Sequence, residues 1–301
     1  MDELLSREKS VREILKEGLA RLRAADVPSF TLAAELLLLH VVGRNRTWLY
    51  AHPEELIAKE DEQRYFALLA RRVAGEPTQH LTGTQEFWGL EFEVTRDVLI
   101  PRPETEHVIE VALDRLAVRE IRAGRKQTLA GSGLQIADVG TGSGCLAIAL
   151  AKELPSAHLF ATDVSAAALA VAVLNAARHS VGERIRFVEC HLLTGVPNSA
   201  FDVIASNPPY IGRKERETLM REVRDHEPEI ALYGGEEGYE LYADLIAQAA
   251  ERLKPGGILV LELGHNSLAA VQPLLEGPTW TNVGVTDDLA AIPRVIAAEK
   301  S

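Results

Sequence analysis

Leu134-Gln135-Ile136-Ala137-Asp138-Val139-Gly140-Thr141-Gly142-Ser143-Gly144 is the stretch on which the reading of the fold turns. An apolar run, Leu134–Val139, has the length of a strand, and three glycines then let the chain reverse sharply before a helical pattern begins at Cys145. Working outward, the same alternation recurs. Further strands are expected at His158–Thr162, Ile185–Glu189, Phe201–Ser206 and Gly257–Leu263, with helices near Cys145–Glu153, Ala166–His179 and Glu240–Leu253. Trp280–Val285 and Val295–Glu299 are spaced as a closing antiparallel pair. Apolar strands alternating with helices predict a doubly wound, mainly parallel α/β sheet.

Upstream, the texture is helical. Val11, Ile14, Leu15, Gly18, Leu19 and Leu22 share one helix face, Thr31 is a candidate N-cap for a helix from Leu32 to Val42, and Glu60–Val73 makes a third helix. Glu86–Val94 alternates around Gly89 as a short hairpin, and Leu99–Glu106 is a proline-stiffened loop opening a helix near Glu104. We therefore expect a helical domain over residues 1–75, a hairpin linker over 76–100 and an α/β domain over 101–301, with Arg119–Gly133 as a surface linker.

Composition excludes several classes. Of 301 residues 47% are hydrophobic and 25% charged, enough for a sizeable core. The formal charge of −12 disfavours bulk binding to nucleic acid, which needs basic surface to displace counterions from phosphate. Two cysteines, Cys145 and Cys190, without a Cys/His cluster at ligand spacing argue against a disulfide framework and a structural zinc site. The N-terminus lacks the apolar core of a signal peptide, and Ala166–Leu174, the longest near-apolar run, is about half of a membrane span. A cytoplasmic chain is the expectation.

Three features carry chemistry. Gly140–Gly144 reads GxGxG rather than the dinucleotide fingerprint GxGxxG, so it is either a ligand loop or an ordinary strand-to-helix turn. Asp163, 25 residues beyond Asp138, suits the two hydroxyls of a ribose, or caps the helix that begins at Ala166. Together they point to a nucleoside-containing ligand, with NAD and S-adenosylmethionine both open. The fourth strand ends in Asn207-Pro208-Pro209-Tyr210. Two prolines remove two backbone donors and hold the loop extended, so carbonyls near Asn207 and Pro208 face outward. With the Asn207 side chain as a further acceptor and Tyr210 as a flat face, the loop is a receptor for a planar –NH2 group.

Asn207–Tyr210 matches the NPPY motif of amino-group methyltransferases. Together with Phe87-Trp88-Gly89 and Phe92, Ile100–Glu106, Asp138–Gly144, Glu227-Pro228, Ala231-Leu232, Gly234-Gly235, and Asp288-Leu289 with Arg294, the chain resembles the peptide chain release factor glutamine methyltransferases over nearly its whole length. That resemblance implies a seven-stranded Rossmann-like methyltransferase sheet behind a small helical domain. It implies methyl transfer from S-adenosylmethionine, without a metal, to the side-chain amide nitrogen (N5) of the glutamine in the GGQ loop of class I release factors, leaving S-adenosylhomocysteine. Gly140, Thr141, Gly142, Ser143 and Gly144 would then wrap the amino-acid end of the cofactor and Asp163 its ribose. Asn207, Pro208, Pro209 and Tyr210 would hold the substrate amide, with Asn207, Pro208 and Tyr210 serving the chemistry and Asn207 also bordering the cofactor. The chain departs from many methyltransferases after the third strand: Glu189-Cys190-His191-Leu192 leaves His191 and Leu192, not an acidic residue, to line the adenine. Glu104 or Glu106 is expected near the same pocket. The helical domain would dock the protein substrate, with no membrane and no direct nucleic acid contact.

The alternatives are an NPPY-type enzyme acting on a nucleic acid base or another protein, a dehydrogenase, and a non-enzymatic ribosome-associated adaptor. The charge of −12 weighs against the first, and the glycine spacing against the second. The third leaves the loop chemistry unexplained.

Overall fold

The computed structural model describes residues 7–122, 133–197 and 200–301. The chain divides into two units, one of residues up to Thr84 with Met220–His226, the other of Gln85–Leu219 with Glu227–Ser301.

In the first unit, helices Val11–Ala24, Phe30–Val42 and Lys59–Val73 pack around Ile14, Leu22, Leu37, Leu38, Tyr65 and Leu69. Ser10 starts the first helix through a capping box with Glu13. Gly18 stands in the middle of that helix because a Cβ there would lie 2.1 Å from the Tyr65 hydroxyl, which donates to the Ala34 carbonyl at 3.2 Å. The second helix starts earlier than its sequence pattern predicts: Ser29 is its N-cap, in a left-handed conformation, and Thr31 lies inside the helix. Two short helices, Arg46–Ala51 and Thr78–Thr82, complete the unit; each is about a turn and a half, too short to show a periodicity in sequence.

The second unit is built on seven strands: β1 (Gln135–Val139), β2 (His158–Asp163), β3 (Ile185–Glu189), β4 (Phe201–Ser206), β5 (Leu253–Glu262), β6 (Trp280–Asp287) and β7 (Pro293–Lys300). Their spatial order is 3-2-1-4-5-7-6. Strands β3 to β5 pair in parallel through β2, β1 and β4, while β7 runs antiparallel to both β5 and β6. Every residue of β4 is buried, as a parallel strand covered on both faces requires. Alternate side chains feed two cores. Ile136, Leu159, Val203 and Val260 join helices Glu106–Arg122 and Cys145–Glu153 on one face. Ala137, Ile204, Leu259 and Ile296 join Tyr242, Leu245 and Ile246 of helix Glu240–Arg252 on the other. This is the expected doubly wound Rossmann-like sheet.

The expected hairpin forms from Thr84–Phe87 and Leu90–Glu93. The expected linker at 119–133 is corrected at its start, since Arg119–Arg122 finishes the helix from Glu106 and Glu120 is buried; the stretch 123–132 lies outside the described residues. No described helix is long and apolar enough to cross a membrane.

Candidate active site

The β1–β2 and β4 strand ends open onto one cavity of about 390 Å³. Reversal of connection direction between β1 and β4 leaves a crevice at the carboxyl ends of the strands, where doubly wound sheets hold ligands.

The glycine loop forms its floor. Gly140, Gly142 and Gly144 all have positive φ. The constraint is tightest at Gly144, where φ is +84° and a Cβ would meet Ile148 at 3.0 Å and Ala172 at 3.1 Å, so the loop packs directly on two helices. Most of the loop's N–H groups are already used. Gly140 and Thr141 donate to the Thr162 carbonyl at 2.8 Å each, Gly144 donates to the Thr141 carbonyl at 2.8 Å, and Gly142 donates to the Asp163 carboxylate at 2.9 Å. Asp138, fully buried below the loop, accepts from the Thr141 hydroxyl at 2.6 Å and the Ala147 amide at 3.0 Å. Burial, offset by those two bonds, pushes its pKa up to about 6.

Asp163 closes β2 and lines the cavity. Its other carboxylate oxygen accepts from the Ser165 amide at 2.9 Å, and Ser165 in turn caps the helix Ala166–Arg178. Both sequence readings of Asp163 thus describe real contacts: it braces the loop and helix start, and each oxygen keeps a lone pair for a hydroxyl. His191 and Leu192 line the same end of the cavity with Cys190, Ala168 and Val164.

At the opposite end stands the loop after β4. Asn207, Pro208 and Pro209 line the cavity with Pro101, Arg102, Thr105, Ile230, Ala231 and Tyr233. The Asn207 side-chain amide donates through Nδ2 to the Thr105 hydroxyl at 3.0 Å, which leaves its Oδ1 as the free acceptor. Gly234, paired in parallel beside Ile211–Gly212, permits the close approach of this segment, since a Cβ there would fall 2.2 Å from the Pro209 carbonyl. Arg102 forms an ion pair with the buried Glu227, which also accepts from the Ile100 amide at 3.4 Å. That contact joins the proline-rich loop to the Glu227-Pro228 segment, two motifs separated by more than a hundred residues.

Several expected site residues are placed elsewhere. Gly144 lies under the loop as the helix N-cap and does not border the cavity. Tyr210 is absent from the cavity wall: its hydroxyl donates to Glu262 Oε1 at 3.2 Å, and its ring lies over Gly264, where a Cβ would come within 2.9 Å of Cδ2. The aromatic side chain on the wall is Tyr233, whose hydroxyl is buried without a hydrogen-bond partner among the described residues. The expectation for Glu104 and Glu106 is also corrected. Glu106 accepts from the Trp88 amide at 2.7 Å and Glu104 is exposed, while Thr105 between them reaches the cavity because the short 3-10 helix Pro103–Thr105 turns alternate residues apart. Thr105, Tyr233 and Glu262 carry no signal of their own in sequence; only the neighbouring Pro101–Pro103 and Gly234-Gly235 mark their segments.

Glu262, the last residue of β5, is wholly buried behind Asn207. Tyr210 binds one of its oxygens, and Oε2 has no hydrogen-bond partner among the described residues. Burial pushes its pKa up to about 7 against the lowering effect of the Thr105 and Tyr210 hydroxyls and Arg294.

A glycine loop after the first strand, an acid at the tip of the second and an amide-accepting turn after the fourth, on a sheet of order 3-2-1-4-5-7-6, define a methyltransferase domain of the Rossmann-like class. Residues 126–226 accordingly match the methyltransferase small domain family, and residues 13–83 match the PrmC N-terminal domain family. A release factor glutamine methyltransferase of Koribacter versatilis is 42% identical over 97% of this chain and 99% of its own length. Those of Bradyrhizobium diazoefficiens and Chlorobaculum tepidum are 39% and 41% identical, with 97% and 95% of this chain covered and 95% of each relative. The chain belongs to the release factor glutamine methyltransferase family. Among solved structures the hMettl16 catalytic domain aligns with a TM-score of 0.52 at 19% identity, over 77% of this chain and 81% of that one, a likeness of fold alone.

Proposed function

We propose that this enzyme methylates the side-chain amide nitrogen of the glutamine in the GGQ loop of class I peptide chain release factors, with S-adenosylmethionine as donor. The observation that carries the reading is the acceptor-lined turn: Asn207 with its amide nitrogen tied to Thr105 and its Oδ1 free, beside two residues that have no N–H. A group with two hydrogens to give and none to receive fits such a turn, and a glutamine amide nitrogen is one.

The cofactor end supports S-adenosylmethionine over a dinucleotide. A pyrophosphate is held by open N–H groups at a helix start, and here those of Gly140, Thr141, Gly142 and Gly144 are bound within the protein. Asp163 with its remaining lone pairs suits ribose hydroxyls, the loop from Gly140 to Ser143 borders the amino-acid end, and His191 and Leu192 border the base. When bound, S-adenosylmethionine supplies a methyl group already activated on a sulfonium. The chain therefore has to position and desolvate the acceptor nitrogen. Asn207 Oδ1 and the carbonyls of the turn accept its hydrogens, hold its lone pair in line, and disperse the positive charge that grows on nitrogen. The apolar wall of Ile230, Ala231, Pro208 and Pro209 excludes water from the site. Tyr233 offers the flat face beside the amide, and Tyr210 supports the turn from behind. The helical unit, which contains none of the residues at the cavity, serves to dock the folded protein substrate.

Mass spectrometry of a class I release factor incubated with enzyme and isotope-labelled S-adenosylmethionine should find one methyl on the GGQ glutamine. Asn207→Ala should lower kcat by about a hundredfold or more with cofactor affinity nearly intact. Near-normal turnover of that variant, or a methyl on another residue, would refute the reading.

A further inference from the structure

Side-chain amides have a direction, and only their partners tell nitrogen from oxygen. For Asn207 to present an acceptor to a substrate –NH2, its Nδ2 must be spent on the Thr105 hydroxyl, and that hydroxyl must not donate back. Thr105 has a single proton. It is 2% exposed, so the proton has no water to go to. Behind it lies the buried Glu262, whose other oxygen takes the Tyr210 hydroxyl.

We propose that Glu262 is a positioning residue for the methyl acceptor: its carboxylate takes the hydroxyl proton of Thr105, which forces Thr105 to accept from Asn207 and so turns Asn207 Oδ1 into the cavity. This deepens the methyltransferase reading above and rests on it. An ionised carboxylate can only accept, so the polarity runs one way, from Asn207 through Thr105 to Glu262. A neutral group with a hydrogen to donate would let the chain reverse. Thr105 would then donate to Asn207 Oδ1, and the Asn207 –NH2 would face the –NH2 of the substrate.

The geometry is consistent with such a device. Glu262 sits at 0% exposure with Oε2 otherwise unpartnered, an arrangement that costs stability and has no packing benefit over an apolar residue at the end of an apolar strand. The groups facing it are Thr105 and Glu104 on the proline-rich loop, Tyr210 after β4, Arg294 on β7, Tyr242 on helix Glu240–Arg252, and Cys145 at the start of helix Cys145–Glu153. Arg294 is held to Asp288 at 2.9 Å and reaches Glu262 only through space, so it tunes the carboxylate without capturing it. With the Glu262 carboxyl raised to about 7, the network changes from reversible to one-way across neutral pH.

The test measures kcat, KM for release factor and cofactor affinity between pH 5.5 and 8.5. Wild-type kcat should rise through about pH 7, while cofactor affinity stays flat. Glu262→Gln should lower kcat about tenfold or more and abolish the acidic limb. Thr105→Val should give a similar loss without change in cofactor affinity, and Thr105→Ser should recover most of it. The Thr105 pair decides the matter if Glu262→Gln does not fold. Wild-type kcat in Thr105→Val, a loss confined to KM, or an acidic limb that persists in Glu262→Gln (as it would if Asp138 were its source) overturns the proposal. A wild-type enzyme that fails to methylate release factor overturns the functional reading itself, before any variant is made.

Discussion

Replacing Asn175 should do more damage than any other single polar change in the α/β unit, and the structure supplies the magnitude. Asn175 lies inside the helix Ala166–Arg178 and is fully buried. Its Oδ1 accepts from the Glu93 amide at 2.7 Å, and its Nδ2 donates to the Glu93 carbonyl at 3.0 Å and to the Ser143 carbonyl at 2.9 Å. One side chain thus ties the end of the hairpin and the glycine loop to the same helix. Each neutral hydrogen bond contributes about 1 kcal/mol net, and stranding a buried partner costs as much again, so Asn175→Ala should destabilise by about 3–4 kcal/mol. Asn175→Asp is the sharper variant. It keeps the acceptor for the Glu93 amide but turns an oxygen toward two carbonyls, and a charge in that position is buried without a cation. Its loss should equal or exceed that of alanine despite identical shape. Urea unfolding should register both as a fall in midpoint with little change in slope, and calorimetry should find weaker cofactor binding, because the Ser143 carbonyl anchors the loop at the cavity floor. A midpoint for Asn175→Ala within about 0.5 kcal/mol of wild type, or an aspartate variant milder than alanine, would refute the reasoning.

Asp163→Ala should weaken S-adenosylmethionine binding by about 1–3 kcal/mol through loss of charge-assisted bonds, and should also loosen Gly142, whose amide Asp163 accepts; unchanged affinity by calorimetry would remove Asp163 from the ribose site. Stability should fall as pH rises from about 4.5 to 7, because burial raises Glu262 to about 7 and Asp138 to about 6 from ordinary values of 4.5 and 3.8. A raised carboxyl binds its proton more tightly in the folded state, so its contribution is complete below the unfolded pKa and lost through the folded one. Glu262→Gln should flatten that slope, and an unaltered slope in the variant would contradict the assignment.

The elements legible in sequence are those whose signal is local. Strands β1 to β5 announce themselves as apolar runs, and β4 in particular reads without ambiguity because all six of its residues are buried. The β5 start is harder to read: Leu253 pairs with Phe201 but the register shifts before Ile258 pairs with Val203, and Gly256-Gly257 in the interruption resembles a turn. The glycine loop and the Asn-Pro-Pro-Tyr turn are legible for the same reason, since glycine and proline restrict or free the backbone regardless of what surrounds them. The direction in which a side chain leaves such a segment is not local. Tyr210 belongs to the motif yet turns to Glu262, while Tyr233, outside it, takes the place on the wall.

What sequence could not supply is the second layer. Asn207 meets Thr105 across 102 residues, Asn175 meets Glu93 across 82, and Arg102 meets Glu227 across 125. None of these partners has a periodicity or spacing to mark it: Thr105 reads as a filler between two glutamates, Asn175 as a helix interior residue, and Glu262 as a strand end. Each is buried, polar and bound over long range, and each pays in desolvation for holding a loop in one orientation. The amide-accepting turn explains this allocation. Prolines fix the path of the backbone from within the motif, but they cannot fix which end of the Asn207 amide faces the substrate. Only a partner of known hydrogen-bond polarity can do that, and such a partner has to come from elsewhere in the chain. A site whose specificity depends on the direction of an amide is therefore legible in sequence as to its location, and becomes legible as to its orientation only when the fold brings Thr105 and Glu262 behind it.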